Sequence, residues 1–168
     1  MKYQEEDWHD KNMTGTRIVF RPDPTIFKEG ISLDYAALRK QLQELAYLSP
    51  GMRFILSFKE KDKEIITSQN GIRDYINDLN KNKNKVTSVF YTENMEDRIG
   101  VKIAMQYNDS YTDTYKLYTN SIPNSAGTHL TGFRTALTTT INSYARNKGL
   151  LKEKDTLAST CCMRNVTA

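Results

Sequence analysis

The sequence predicts a two-layer α+β fold, and three observations carry that prediction. Three stretches repeat apolar residues at three- and four-residue steps, the period of an amphipathic helix. Between them lie short alternating runs rich in β-branched residues, bounded by turn formers, which is the pattern of strands. The order is strand, helix, two or three strands, short helix, three strands, long helix, so helices segregate from a mostly antiparallel sheet.

Residues 1–13 are polar and irregular, with little to order them on their own. Thr16-Arg17-Ile18-Val19-Phe20-Arg21 alternates, which predicts a strand, and Pro22-Asp23-Pro24 stops it. Ile26 and Phe27 follow as an apolar anchor before a turn at Gly30. Asp34 to Leu48 reads as a helix that buries Tyr35, Leu38, Leu42, Leu45 and Leu48 and turns Arg39, Lys40 and Glu44 outward. Pro50-Gly51 ends it. Met52, Phe54, Leu56 and Phe58 then alternate as a strand, Lys59 to Lys63 form a charged hairpin tip, and Glu64–Ser68 return.

Gly71 to Leu79 predicts a short helix with Ile72, Tyr75, Ile76 and Leu79 inward. Asn80 to Lys85 (NKNKNK) is a polar, basic loop whose lysines suit phosphate contact or plain solvation equally. Val86–Tyr91 is a strand, and Arg98 to Asn108 a stronger one. The latter sets Val101, Ile103, Met105 and Tyr107 on one face against Lys102, Gln106 and Asn108 on the other. Asn108-Asp109-Ser110 turns the chain into Thr112–Asn120, which predicts an antiparallel hairpin.

The stretch from Tyr118 to Asp155 breaks at Pro123-Asn124-Ser125-Ala126-Gly127 and continues as one long basic helix. Thr128 is its predicted N-cap. Leu130, Phe133, Leu137, Ile141 and Tyr144 form the apolar stripe, and Arg134 points off it. Arg146 and Lys148 crowd the last turn, where the helix dipole favours cations, and Gly149 is the natural C′ residue.

The 168 residues carry 24 basic and 20 acidic side chains, a net charge of +4. Arg134, Arg146, Lys148, Lys152 and Lys154 against Glu153 give the last helix and its extension that whole excess, leaving the rest balanced. A basic face on one rigid element suits a polyanion; a merely solvated face has the same composition. No apolar run approaches the roughly 20 residues that span a bilayer, and residues 1–7 lack a signal peptide's apolar core. A soluble protein of the cytoplasm, with no membrane partner, is the expectation. Cys161 and Cys162 are adjacent, which suits neither a disulfide framework nor a spaced zinc site. His9 and His129 are far apart, so no metal site is expected. No phosphate-binding glycine loop, nucleophile elbow or HExxH motif occurs. The residues alone read as a binding or transmission module.

Five blocks in one register resemble a known family: TGTRIVFRPDPTIF (14–27), LRKQLQELAYLSPG (38–51), NGIRDYINDLNKNK (70–83), IGVKIAMQYNDSY (99–111) and residues 118–155. The last is the most specific, with its Thr-Asn-x-Ile, Gly-Thr-His, Gly-Phe-Arg, Ala-Leu-Thr and Asn-x-Tyr series. Together they resemble the ATPase subunits of bacterial type IIA DNA topoisomerases, most closely the gyrase B type.

That resemblance implies a disordered lead and the last strand of a GHKL-type ATP-binding domain over 1–22. It implies a transducer domain like the second domain of ribosomal protein S5 over 23–155, and a divergent tail over 156–168. In the family, intact gyrase B uses ATP and Mg, dimerises with a second copy of itself on nucleotide binding, works with gyrase A and passes double-stranded DNA. Its nucleotide residues fall upstream of the matched blocks and its Gln-Thr-Lys lysine downstream, so this piece is expected to bind no cofactor and to be inactive alone. Arg134 aligns with the family's arginine on the DNA-capture cavity, with Arg146 and Lys148 as helpers and Gly127-Thr128-His129 as the helix-start motif. Ala126 replaces the first glycine of the family's Gly-Gly-Thr-His, a substitution costing about 1–2 kcal/mol if that position needs a positive φ. The bacterial cytoplasm, close to the nucleoid, or an organelle is the implied location. The ATPase component of topoisomerase IV shares these motifs, and a non-enzymatic S5-like nucleic-acid-binding module is the rival of another class.

Overall fold

The computed structural model describes residues 14–27, 33–57, 63–110, 112–159 and 166–168. The expectations for residues 1–13, the turn at Gly30, the hairpin tip at Lys59–Asp62 and the two cysteines lie outside these. The chain divides into two compact units, Met1–Asp34 and Tyr35–Ala168.

In the first unit the strand expected over Thr16–Arg21 does not form. Alternation makes a strand only where a neighbour takes up its N–H and C=O groups, and among the described residues none pairs with it. Ile18, Val19 and Phe20 stay exposed, as do Ile26 and Phe27, so the expected apolar anchor is not buried. What orders this stretch locally is Asp23. Its carboxylate accepts from the Thr25 N–H at 2.8 Å and the Thr25 hydroxyl at 2.7 Å, while its carbonyl accepts from the Phe27 N–H at 3.0 Å.

The second unit opens with α1 (Tyr35–Leu48). Its burial drifts from the predicted stripe: Ala46 and Tyr47 are covered while Leu45 is partly open. Arg39 is exposed, yet its Nε lies 2.7 Å from Glu64 Oε1, joining α1 to the hairpin of β1 (Phe54–Leu56) and β2 (Glu64–Ile66). Then comes α2 (Ile72–Leu79), burying Tyr75 and Ile76 as predicted. A loop rather than a capping side chain starts it. Gly71 takes φ +58°, and a Cβ there would sit 3.2 Å from the Tyr47 carbonyl oxygen, so the approach of α1 to α2 requires glycine. Tyr47 stacks on Tyr75 with ring centroids 4.9 Å apart, and Tyr75 bonds Tyr118 through their hydroxyls at 3.1 Å. Burial pushes the Tyr47 phenol up to about 12, and the phenols of Tyr75 and Tyr118 are also raised by burial first.

The main sheet has the order β3-β4-β7, all antiparallel, built from Phe90–Glu96, Ile99–Tyr107 and Val166–Thr167. Asp97 and Arg98 join β3 to β4 with φ of 47° and 67°, a two-residue type I′ turn. The hairpin expected across Asn108–Ser110 is therefore not formed. Leu117–Thr119 (β5) instead pairs with Ile122–Asn124 (β6) through a second such turn at Asn120-Ser121. The two faces of β4 alternate as the sequence indicates, and the polar one is the inner one. Ala104 and Gln106, with Asn108 just beyond, are buried, and the Val101, Ile103, Met105 side is the more open.

This facing is explained by a satisfied polar network. Asn80 Nδ2 donates to Gln106 Oε1 at 2.8 Å, and the Thr167 hydroxyl donates to Asn80 Oδ1 at 2.8 Å. Asn108 Nδ2 donates to Thr167 Oγ1 at 2.9 Å, and Gln106 Nε2 to the Thr87 carbonyl at 2.8 Å. Lys83 Nζ reaches Thr167 Oγ1 at 3.3 Å. Buried amides cost little extra when each finds partners, so a polar face of β4 can be the inner one. The α+β class predicted from the sequence holds: helices and small antiparallel sheets make up this unit.

Candidate nucleic-acid interface

The long helix α3 spans Thr128–Asn147. Thr128 is its first residue rather than its cap. Gly127 is the N-cap with no side-chain capping bond, and its carbonyl accepts from the Leu130 N–H at 3.1 Å. Gly127 is extended, but a Cβ on it would fall 2.6 Å from His129 Nδ1, because the imidazole folds back over it. The space beside Gly127 is thus filled by the His129 ring. Ala126 does not take a positive φ, so it introduces no left-handed strain at the helix start.

The other end behaves as predicted. Gly149 takes φ +68°, its N–H donates to the Arg146 carbonyl at 2.9 Å, and the Leu150 N–H donates to the Ala145 carbonyl at 2.8 Å. This is a Schellman ending with Lys148 as the C-cap. Phe133, Leu130, Leu137 and Ile141 are half-buried, but Tyr144 is exposed and Asn142 and Ala145 are buried in its place. The covered side turns because the segment after the helix returns on that side: the Leu157 N–H donates to Asn142 Oδ1 at 2.7 Å.

The three cations proposed from the sequence have different surroundings. Arg134 is exposed, with its guanidinium carbon 5.0 Å from the Tyr115 ring centroid, which holds the side chain without neutralising it. Arg146 is half-buried. Its Nη2 donates to the Asp155 carbonyl at 3.0 Å and to the Thr156 hydroxyl at 3.1 Å. Lys148 is exposed. At 3.6 residues per turn Lys148 lies about 40° from Arg134 and about 21 Å along the axis, whereas Arg146 is rotated by about 120°. Helical geometry thus groups Arg134 with Lys148.

Beside Arg134 runs an open groove of about 370 Å³, lined by Thr131, Arg134, Thr135, Thr138, Thr139 and Ser159. Sequence reasoning misses these hydroxyls because threonine carries no charge signal; their four-residue spacing next to Arg134 is the available clue. Among the described residues no three His, Cys, Asp or Glu side chains converge where a metal ion could sit. None of the helices formed by the described residues is long and apolar enough to cross a membrane.

The profile of the DNA gyrase B family matches residues 71–168, more than half of the chain. The chain belongs to the DNA gyrase B family. It is 40% identical over 150 residues to the DNA gyrase B protein of Clostridium acetobutylicum, covering 87% of the chain and 23% of that protein. The DNA gyrase B protein of Streptococcus pyogenes serotype M1 is 38% identical over 149 residues, 86% of the chain and 23% of the relative. The B component of DNA topoisomerase 4 from Streptococcus pneumoniae is 37% identical over 147 residues, also covering 86% of the chain and 23% of the relative. The chain thus spans about a quarter of the length of the curated gyrase B relatives it matches. Among solved structures, the 43K ATPase domain of Thermus thermophilus gyrase B, in complex with an aminocoumarin, aligns with a TM-score of 0.72 at 26% identity, over 88% of the chain and 41% of that one. The gyrase B-subunit of Myxococcus xanthus shares the fold, with a TM-score of 0.73 at 19% identity over 94% of the chain and 47% of that one.

Proposed function

We propose that this chain is the transducer portion of the ATPase component of a type IIA DNA topoisomerase, in which α3 faces the passing duplex and Arg134 contacts its phosphates without reading sequence. The observation that carries the proposal is an exposed Arg134 held over Tyr115 in a gyrase B family member. Lys148 extends the contact along the same side of the helix, and Arg146 anchors the segment that follows. Residues 14–22 complete a sheet in the neighbouring ATP-binding domain, which accounts for exposed Ile18, Val19 and Phe20.

In the intact gyrase B protein, ATP and Mg bind outside this portion. Nucleotide binding joins two copies of gyrase B, which work with gyrase A on double-stranded DNA in the bacterial cytoplasm. ATP, when bound, supplies the free energy that drives strand passage. The residues of this chain carry position rather than chemistry, and ATP turnover above background by the chain alone would contradict that. Gyrase B-like supercoiling is the first reading. A topoisomerase IV role is the second, supported by the 37% identity to the Streptococcus pneumoniae protein, and a supercoiling assay of the holoenzyme separates the two. Arg134→Gln in full-length gyrase B tests the proposal through the ratio of DNA-stimulated to basal ATP turnover.

A further inference from the structure

Among the described residues, the groove beside Arg134 is lined by five hydroxyls and one guanidinium, with no acidic and no large apolar side chain. Thr131, Thr135 and Thr139 are exposed and recur every four residues, so their hydroxyls form a ridge about 12 Å long, enough for roughly three phosphates of one strand. Thr138 is different, because its hydroxyl proton is donated to the Arg134 carbonyl at 2.7 Å. Ser159, from the segment that Asn142 holds through Leu157, closes the far wall. A protein partner would be met by aromatic or methionine side chains at the centre of such a surface, and among the described residues none lines it.

We infer that the groove is a cradle for a phosphodiester backbone, in which Arg134 supplies the charge and Thr131, Thr135, Thr139 and Ser159 supply neutral hydrogen-bond donors. The inference rests on α3 facing the duplex and adds which residues grip it and how. Neutral donors release no counterions, so they raise affinity by the same factor at every salt concentration, whereas a cation steepens the salt dependence. A backbone held mainly by hydroxyls can also be released without breaking several ion pairs, which suits a duplex in transit.

The test is fluorescence anisotropy of a labelled duplex with the 168-residue chain over a salt series. The triple variant Thr131→Ala, Thr135→Ala, Thr139→Ala keeps the helix, since alanine is the better helix former. It is expected to bind roughly tenfold more weakly at every salt concentration with an unchanged slope. The matching triple serine variant restores the hydroxyls and wild-type affinity. Arg134→Gln is expected to lower the slope of log affinity against log salt by about 1. If Arg134→Gln behaves so while the alanine triple binds like wild type, the hydroxyl cradle is overturned and the duplex-facing reading survives. A wild-type chain that binds no duplex overturns both. Poly-glutamate of matched charge competing as well as unlabelled duplex overturns the cradle in favour of an acidic-peptide groove.

Discussion

Asn142 holds the backbone of Leu157 with both ends of its carboxamide: Nδ2 donates to the Leu157 carbonyl at 3.0 Å, and Oδ1 accepts from the Leu157 N–H at 2.7 Å. The same Nδ2 also reaches the Thr138 carbonyl at 2.9 Å, so one buried amide fixes α3 to the segment that walls the groove. Asn142→Leu takes this partner away from the Leu157 N–H and carbonyl. A loss of about 2 kcal/mol in urea unfolding is expected, with most of the penalty from the stranded groups. A change under about 0.5 kcal/mol would show that water replaces the amide.

Thr167 is the counterpart at the sheet. Its hydroxyl is shared by Asn80, Asn108 and Lys83, residues from α2's end, β4's end and the loop between them. Thr167→Val keeps the shape and removes the hydrogen bonds. Buried Asn80 and Asn108 then each lose a partner, and a destabilisation of about 2–3 kcal/mol is expected. Thr167→Ser, which retains the hydroxyl, should recover most of it; a loss in Thr167→Ser as large as in Thr167→Val would contradict the assignment of the effect to the hydrogen bonds.

These two contacts mark where sequence legibility ends. The helices are readable because Leu38, Leu42, Tyr75, Ile76, Leu130 and Leu137 repeat at helical spacing, and Gly149 stops α3 where its φ demands glycine. The β3-β4 and β5-β6 hairpins are not, because their type I′ turns use Asp97-Arg98 and Asn120-Ser121 without the glycine that signals such turns. Asn80 in NKNKNK has the composition of a solvated loop, and Gln106 and Asn108 that of an outer face. Only the partners 26 and 87 residues away from Asn80 make it an inner residue, and no local pattern records them. At the site, Arg134 is legible as an exposed cation, while the internal bonds of Arg146 depend on where residues 155–156 return.

Asp74 gives the fold an acid-sensitive contact. Burial alone would raise its carboxyl, but the Ser68 hydroxyl at 2.7 Å and the Asn70 side chain and N–H at 3.0 and 3.1 Å outweigh that and hold it below its usual range. A carboxyl depressed in the folded state stabilises it above the unfolded value of about 3.9, and that contribution is lost as pH falls below it through the folded value. Asp74→Asn should therefore lower stability at pH 7 and flatten the stability curve below about pH 4. A curve parallel to wild type over that range would remove Asp74 from the acid response.

Arg146 and Lys148 should separate cleanly. Arg146→Gln loses the bonds to Asp155 and Thr156 and is expected to cost about 1–2 kcal/mol of stability. Lys148→Gln, exposed at the C-cap, should leave stability within about 0.5 kcal/mol and weaken duplex binding with a shallower salt slope. Unfolding curves and salt-dependent binding on the two variants decide it; a stable Arg146→Gln with reduced slope would return Arg146 to the DNA-facing set.

The most direct test of the central claim is ATP turnover by full-length gyrase B carrying Arg134→Gln, with and without duplex DNA. Arg134 sits on α3 over Tyr115, on the side proposed to meet the duplex, so basal turnover should stay at the wild-type level. The DNA-stimulated rate at a fixed, subsaturating duplex concentration should fall about tenfold, the effect of one lost charge-assisted contact. Basal and stimulated rates falling by the same factor would contradict a duplex-facing Arg134.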